Sequence, residues 1–278
     1  MTVLAFTGIV FGTSALAGFL GSLTGLGGGV VVTPVLTLLL GVDLHYAMGA
    51  SLVSVIATSS GAAAAYVREG FSNVRAGMFL EIATTLGALA GAHLTRIVPA
   101  SVIAVIFGLV LLYSAVQSFR RHSDHRAVRE DPLARKLRVN GSYPDGRGMT
   151  SYVLAHIKAG FGLMFGAGLL SGLLGIGSGA MKVIAMDQVM GIPFKVSTTT
   201  SNFMIGVTAA ASAGIYLAHG YIEPQLAMPV MLGVLAGSLT GARLLRGAAT
   251  RKLRLVFAAV VGLLAFEMIY SGFKGGPG

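Results

Sequence analysis

Apolar residues fall in eight blocks, separated by short polar breaks except for one long hydrophilic stretch between the fourth and the fifth. The blocks lie at about residues 3–40, 47–67, 76–95 and 101–119, then 153–190, 197–217, 225–243 and 252–271. Most approach the roughly 20 residues that cross a bilayer as a helix. The first block of each half is too long for one span. As a single helix, at about 1.5 Å per residue, it would reach nearly twice the hydrocarbon thickness. Each of these two blocks carries Gly-x-Gly-x-Gly in its middle, where glycine favours a break. The pattern therefore predicts a longer helix, a glycine-rich break and a short returning helix at the start of each half. Hydropathy leaves open whether these are re-entrant segments or helix pairs.

The two halves repeat. Gly18-Phe-Leu-Gly-Ser-Leu-Thr-Gly-Leu-Gly-Gly-Gly29 aligns with Gly168-Leu-Leu-Ser-Gly-Leu-Leu-Gly-Ile-Gly-Ser-Gly179 at an offset of 150. The same ungapped offset pairs Gly41 with Gly191, Ser51 with Ser201, Gly70 with Gly220, Gly87 with Gly237, Gly91 with Gly241 and Phe107 with Phe257. Scattered glycine matches carry little weight in a chain with 40 glycines. One register held over most of each half carries much more. The expected domains are a first repeat, 1–119, a basic linker, 120–150, and a second repeat, 151–278.

Composition excludes a soluble globular chain. Hydrophobic residues make up 54% and charged residues only 11%, against about 25% charged in soluble domains. Mean hydropathy is +0.80. There is no Cys, so disulfides, thiolate nucleophiles and thiolate metal sites are absent. The segment Val3–Leu20 lacks a basic leader and has a counterpart in the second half, so it reads as part of the mature fold.

The net charge of +10 sorts by position. Arg120, Arg121, Arg126, Arg129, Arg135, Lys136, Arg138 and Arg147 fall in the linker. Only Tyr143 stands among them, too little for an aromatic-basic stacking surface, so the charge points to membrane topology and away from nucleic acid. With the linker placed in the cytoplasm, equivalent loops differ in charge. Arg68 and Arg75 flank Gly70, whereas the loop at Gly220 has no Lys or Arg. The loop near Arg96 is sparse, whereas its mate carries Arg243, Arg246, Arg251, Lys252 and Arg254. Asp43-Leu-His45 has no Lys or Arg, and its mate carries Lys195. Each contrast has the sign that inverted repeats require. The expected fold is all-α: a polytopic helical membrane protein of two inverted-topology repeats, each with a glycine-broken first helix. The plasma (inner) membrane is its expected place, with the linker and the loop 243–254 cytoplasmic.

Inverted repeats with broken helices at matching positions predict a transport site near the midplane. Two breaks approaching from opposite faces would offer free backbone N–H groups to an anion. The candidates are Thr24, Gly25, Gly27, Gly28 and Gly29, with Gly175, Gly177, Ser178 and Gly179. The competing reading is close helix packing, which is also the reading for Gly87-x-x-x-Gly91 and Gly237-x-x-x-Gly241. Ser51 and the run Thr198 to Asn202 open the next helix of each half. Their candidates, Ser51, Thr200, Ser201 and Asn202, serve equally as donors to an oxyanion or as helix-to-helix bonds. Lys182, three residues past Gly179, is the leading buried-cation candidate. Its alternatives are pairing with Asp187 or snorkelling. Glu81 and Glu267 read as interfacial, with Glu81 also a candidate proton carrier. His93 and Arg243 read as loop-proximal. His122 and His125 offer at most an exposed metal contact. No cofactor or metal site is expected.

The motif Gly25-Leu-Gly27-Gly28-Gly29 followed by Thr33-Pro34, its second copy Gly175-Ile-Gly177-Ser178-Gly179 and the Thr200-Ser201 pair resemble the sulfite exporter TauE/SafE family. The resemblance covers nearly the whole chain outside the linker. It implies a multi-pass permease, as an exporter, for sulfite or organosulfonates such as sulfoacetate. The second copy departs at Ser178 and lacks the proline, with Ile184 in its place. Those departures bear on the substrate. Secondary transport by alternating access, coupled to a proton or ion gradient or running as uniport, is the expected mechanism. An anion channel is the alternative, and a membrane-embedded enzyme a more distant one, since no His-Glu-x-x-His or Gly-x-Ser-x-Gly motif occurs. The expected partners are a small oxyanion, membrane lipid and a coupling ion, and Gly-x-x-x-Gly faces are compatible with a homodimer.

Overall fold

The structure is a computed structural model that describes residues 3–22, 29–68, 70–119, 129–145, 148–245 and 250–274. Thr24, Gly25, Gly27, Gly28, His122 and His125 lie outside the described residues.

Each half opens as a long helix followed by a short one. In the first half these are α1 (Val3–Ser22) and α2 (Gly29–Leu40), followed by α3 (Leu44–Arg68), α4 (Val74–Leu94) and α5 (Ala100–Phe119). The intervening segment carries α6 (Pro132–Leu137) and a hairpin, β1 (Gly141–Asp145) with β2 (Gly148–Tyr152). The second half contains α7 (Ile157–Leu174), α8 (Gly179–Ile184), α9 (Phe194–Ala218), α10 (Pro224–Leu245) and α11 (Thr250–Phe273). A π-helical turn, Ala185–Val189, extends α8 directly.

Among the described residues three helices, α4, α7 and α9, are long and apolar enough to cross a membrane, and shorter apolar helices lie within α1, α2, α5, α10 and α11. Outward faces are apolar too, as at Leu4, Leu39, Leu263 and Phe266. Lipid accepts such surface, whereas water does not. The chain is an all-α multi-pass membrane protein.

Glycine ends helices in matched places. Gly41 and Gly191 have φ of 65° and 71°, and Gly70 and Gly220 have 74° and 75°. A left-handed residue after a helix lets its last carbonyls find partners, and glycine takes that conformation without strain.

Glycine also sets which helices touch. A Cβ at Gly87 or Gly91 of α4 would strike the carbonyl oxygens of Phe165 and Leu169 on α7. Gly168 and Gly172 of α7 face Thr84 and Ala88 in the same way. Gly18 of α1 meets Val234 of α10, while Gly237 of α10 meets Ala15 of α1. Close backbone approach of this kind drives association in lipid, where apolar burial cannot. The pairs α1–α10 and α7–α4 are repeat equivalents, and α3–α9 and α5–α11 pair equivalent helices with each other.

The chain directions follow from the ends. Gly49, early in α3, packs on the Tyr221 carbonyl, just past the end of α9. At the other end, the Asn73 N–H, just past α3, donates to Thr200 near the start of α9 at 2.9 Å. So α3 and α9 run antiparallel. In α11, Gly272 lies against Ser101 and Val105 of α5, while Gly108 of α5 lies against Ala265 and Ile269. That pair is antiparallel as well.

The linker is partly folded, which its charge did not announce. Asp131 caps α6 by accepting from the Leu133 N–H at 2.9 Å and also accepts from the Ile157 N–H at 3.0 Å, where α7 begins. These two N–H groups hold its carboxyl below its ordinary value. Asn73 donates its side-chain amide to the Val139 carbonyl and to the Tyr152 hydroxyl, each at 2.8 Å. Burial pushes the Tyr152 phenol up to about 12, so it stays protonated. Ala134, Val139, Tyr143 and Leu154 join Ala76 and Leu80 of α4, Met186 and Val196 in one core. The module therefore covers the end of the molecule where α4 and α9 begin.

Candidate functional site

The two glycine motifs meet the middle of α3 and α9. Gly29 opens α2, and the loop after α2 feeds the start of α3, so α2 runs back along α3. A Cβ at Gly29 would strike Val55, at the middle of the 25-residue α3, and would lie 2.7 Å from the Ser51 hydroxyl. A Cβ at Gly177 would lie 2.7 Å from Ile205 and 3.1 Å from the same Val55. Val55 and Ile205 are repeat equivalents. The second motif and the end of the first thus converge about one buried pair, well inside the helices.

Local geometry explains the second break. Gly175 closes α7 with φ of 67°, its N–H bonded to the Ser171 carbonyl. Gly177 has φ of 73° and Ser178 has 43°. Three left-handed residues in four prevent the helix from continuing. Ser178, without glycine's freedom, takes that conformation under strain. Its hydroxyl donates to the Ala167 carbonyl at 2.6 Å, which anchors the break on α7.

The hydroxyl candidates divide by what they touch. Ser51 donates to the Gly29 carbonyl at 3.1 Å, and Ser201 donates to the Gly179 carbonyl at 3.2 Å. This repeated bond fastens each short helix to the helix after it. Both hydroxyl protons are therefore committed to backbone in this conformation. Thr200 accepts from Asn73, and Thr199 lies 2.9 Å from the Phe71 carbonyl. Those two hydroxyls hold the loop after α3. Asn202 is half-buried on α9.

Lys182 is fully buried. Its ammonium donates to the Thr208 hydroxyl at 2.5 Å. Thr208, one turn past Ile205 on α9, lies 2.6 Å from Glu81 Oε1 and 2.9 Å from its own helix's Met204 carbonyl. Thr85 donates to the same Glu81 oxygen at 3.2 Å. Glu81 is only 7% exposed. This corrects the expectation of an interfacial carboxylate: α4 turns the residue inward against α9. Glu81 Oε2 is buried without a hydrogen-bond partner. The arrangement is a buried cation and carboxylate joined through one hydroxyl, on three separate elements. Thr208 escaped the sequence reading, since a threonine within an apolar block gives no signal of its own. The Glu81 signal was present as an ionisable residue inside a predicted span.

His93 lies exposed near the end of α4, its ring 5.9 Å from that of His219, and Glu267 is exposed on α11. Among the described residues no group of three His, Cys, Asp or Glu converges as a metal site would require.

A multi-pass helical chain with irregular backbone inside the bundle, and a buried cation and carboxylate bridged by a hydroxyl beside it, belongs to the class of membrane transporters, where such features line a path. The sulfite exporter TauE/SafE family model matches residues 10–268, and the chain belongs to that family. It is similar to the probable membrane transporter protein YunE of Bacillus subtilis, at 26% identity over 265 residues, covering 92% of this chain and 95% of that protein. It is similar to the probable membrane transporter protein YdhB of the same organism at 28% over 236 residues, covering 84% and 87%. The probable membrane transporter protein MJ0441 of Methanocaldococcus jannaschii matches at 23% over 269 residues, covering 91% and 92%. No solved structure matches the chain.

Proposed function

We propose that this membrane transporter is a secondary carrier, an exporter, of small sulfur-containing anions such as sulfite or organosulfonates including sulfoacetate. The carrying observation is the meeting of Gly29 and Gly177 on Val55, with the Lys182 amine about one turn of α9 away. Backbone N–H groups of the two glycine breaks and the Lys182 ammonium are the donors such oxyanions need. Ser51 and Ser201 are positioning residues in this reading, since their protons hold Gly29 and Gly179. Family membership supports the sulfur chemistry.

The repeats are inverted in this proposal, and the antiparallel course of α3 and α9 supports it. A two-fold axis in the membrane plane relates the halves, which rock about the midplane site. The folded linker and the loop 243–254 face the cytoplasm, and the plasma membrane is the site of action.

Reconstituted vesicles test the function. Uptake of labelled sulfite and sulfoacetate is expected to saturate, and preloaded anion to accelerate it by exchange. Lys182→Ala is expected to lower uptake at least about tenfold, as loss of a charge-assisted donor does. Non-saturating flux without exchange would favour an anion channel. No flux of either anion in folded protein would remove the substrate assignment.

A further inference from the structure

Glu81 has a geometry that transport of an anion alone leaves unexplained. It sits on α4, nine-tenths buried, and shares Thr208 with Lys182. The Thr208 hydroxyl accepts from the ammonium and lies 2.6 Å from the carboxylate. One threonine therefore links the charge nearest the glycine breaks to a carboxyl on another element. The second carboxylate oxygen has no partner. Glu81 also lines a groove of about 430 Å³ on the faces of α4 and α9. Burying a carboxylate oxygen without a partner is costly, and this one is walled by Met78, Ile82 and Val207.

The repeat sharpens the point. Thr208 has an equivalent in Thr58, but Lys182 corresponds to Val32 and Glu81 to Met231. Close packing keeps the repeat symmetric, whereas this charged relay exists once per chain. It is a functional addition to one side of a duplicated scaffold.

We propose that Glu81 is the coupling-proton site, and that one proton binds its carboxyl for each anion bound beside Lys182. This rests on the anion-transport reading above. With the site empty, Lys182 and Glu81 balance each other through Thr208. An anion at Lys182 leaves the buried group with excess negative charge, one unit for a monoanion and two for a dianion such as sulfoacetate. A proton from water on Glu81 lowers that excess by one, and the ammonium is released from the relay to face the anion. On the other side the anion leaves, the carboxyl loses its proton to water, and the relay re-forms. Anion and proton move in the same direction, so acid outside drives uptake. Export then runs down the anion's own gradient.

Other titratable groups lie on the elements around the relay. Beside Lys182, the π-turn after α8 carries Asp187. On α7 the titratable side chain is Lys158, exposed in the first turn. On α9 they are Lys195, exposed over the Phe71 ring, and Tyr216, whose hydroxyl lies 3.0 Å from the Gly172 carbonyl at the far end. Arg75 and His93 of α4 are exposed, and Tyr143 and Tyr152 of the linker module pack near its first turn.

The test uses vesicles holding the full chain, with potassium and valinomycin clamping the voltage and labelled sulfoacetate outside. The sulfonate stays ionised, so undissociated acid cannot carry the proton. With the exterior one pH unit more acid, wild type is expected to accumulate sulfoacetate roughly tenfold, the limit for one proton per anion. An internal pH dye should report acidification with uptake. Glu81→Gln, which keeps the side-chain shape, is expected to retain exchange of sulfoacetate but to lose accumulation and the dye response. Glu81→Asp should restore part of both. Accumulation by Glu81→Gln equal to wild type would overturn the proposal. Infrared difference spectra across pH read the carboxyl directly. A titrating carboxylic-acid band, absent from Glu81→Gln, would uphold the proton site even without sulfoacetate flux, so only the substrate reading would fall. A Glu81 that stays ionised throughout would overturn it.

Discussion

At the scale of single residues, the decisive positions are those where a side chain or its absence has one neighbour to satisfy. Ser178 holds a left-handed backbone that costs a non-glycine residue about 1–2 kcal/mol, and its hydroxyl bond to Ala167 returns about 1 kcal/mol. Ser178→Gly removes both terms and is expected to leave the thermal midpoint in detergent nearly unchanged. Ser178→Ala keeps the strain and loses the bond, so it should destabilise by about 1 kcal/mol. Equal midpoints for the two variants would contradict that account. Thr208 carries a heavier role. Thr208→Val keeps the volume but leaves the Lys182 ammonium and the Glu81 oxygen without their shared hydroxyl. Breaking a buried charged network of this kind costs about 3 kcal/mol or more, whereas Thr208→Ser should keep both the fold and transport. A scan of unfolding in detergent with sulfoacetate uptake beside it reads both.

At the scale of elements, the contacts are made by backbones and by one folded linker. Gly172 of α7 lies on the Ala88 carbonyl of α4, while Gly162 of the same helix has no neighbour within 4 Å of a Cβ. Gly172→Leu is expected to cost about 3 kcal/mol by forcing the helices apart, and Gly162→Leu to be tolerated. Yield of monodisperse protein separates them. The linker answers to pH through Asp131. Its carboxyl is held low first by the Leu133 N–H, then by the Ile157 N–H. The sign follows: the ionised form is favoured in the docked state. That contribution is complete above the ordinary carboxylate value and is lost as pH falls through the lowered one. Hydrogen-exchange protection across 129–157 should stay flat from neutral to mildly acid pH and fall only in strong acid. Asp131→Ala should lose it throughout. The hydropathy blocks foretold α3, α4, α5, α9, α10 and α11 to within about three residues at either end. The α6 and hairpin module had no such signal, because short polar elements stabilised by capping and docking lack a long apolar period.

At the scale of the whole molecule, direction is the testable quantity. The linker module and the loop 219–223 lie at opposite ends of α9. With no Cys in the chain, a single cysteine labels without background. Ser142→Cys in the hairpin and Glu223→Cys in the far loop, both exposed, should label from opposite sides of a sealed membrane. Labelling of both from one side would exclude the inverted arrangement.

The sequence alone determined what depends on consecutive residues. Spans follow from blocks of apolar side chains, helix ends and breaks follow from glycines such as Gly41, Gly175 and Gly191, and the duplication follows from one constant offset. Each is legible because hydropathy and backbone freedom are local properties. Only the tertiary structure decided which hydroxyls face a carbonyl and which charges meet. Ser51 and Ser201 proved to be fastenings because α2 and α8 fold back on them. Glu81 and Thr208 stand 127 positions apart and come within hydrogen-bonding distance only because α4 packs against α9. Glycine-mediated packing sets that approach between elements remote in the chain, and no local pattern around Glu81 or Lys182 encodes it.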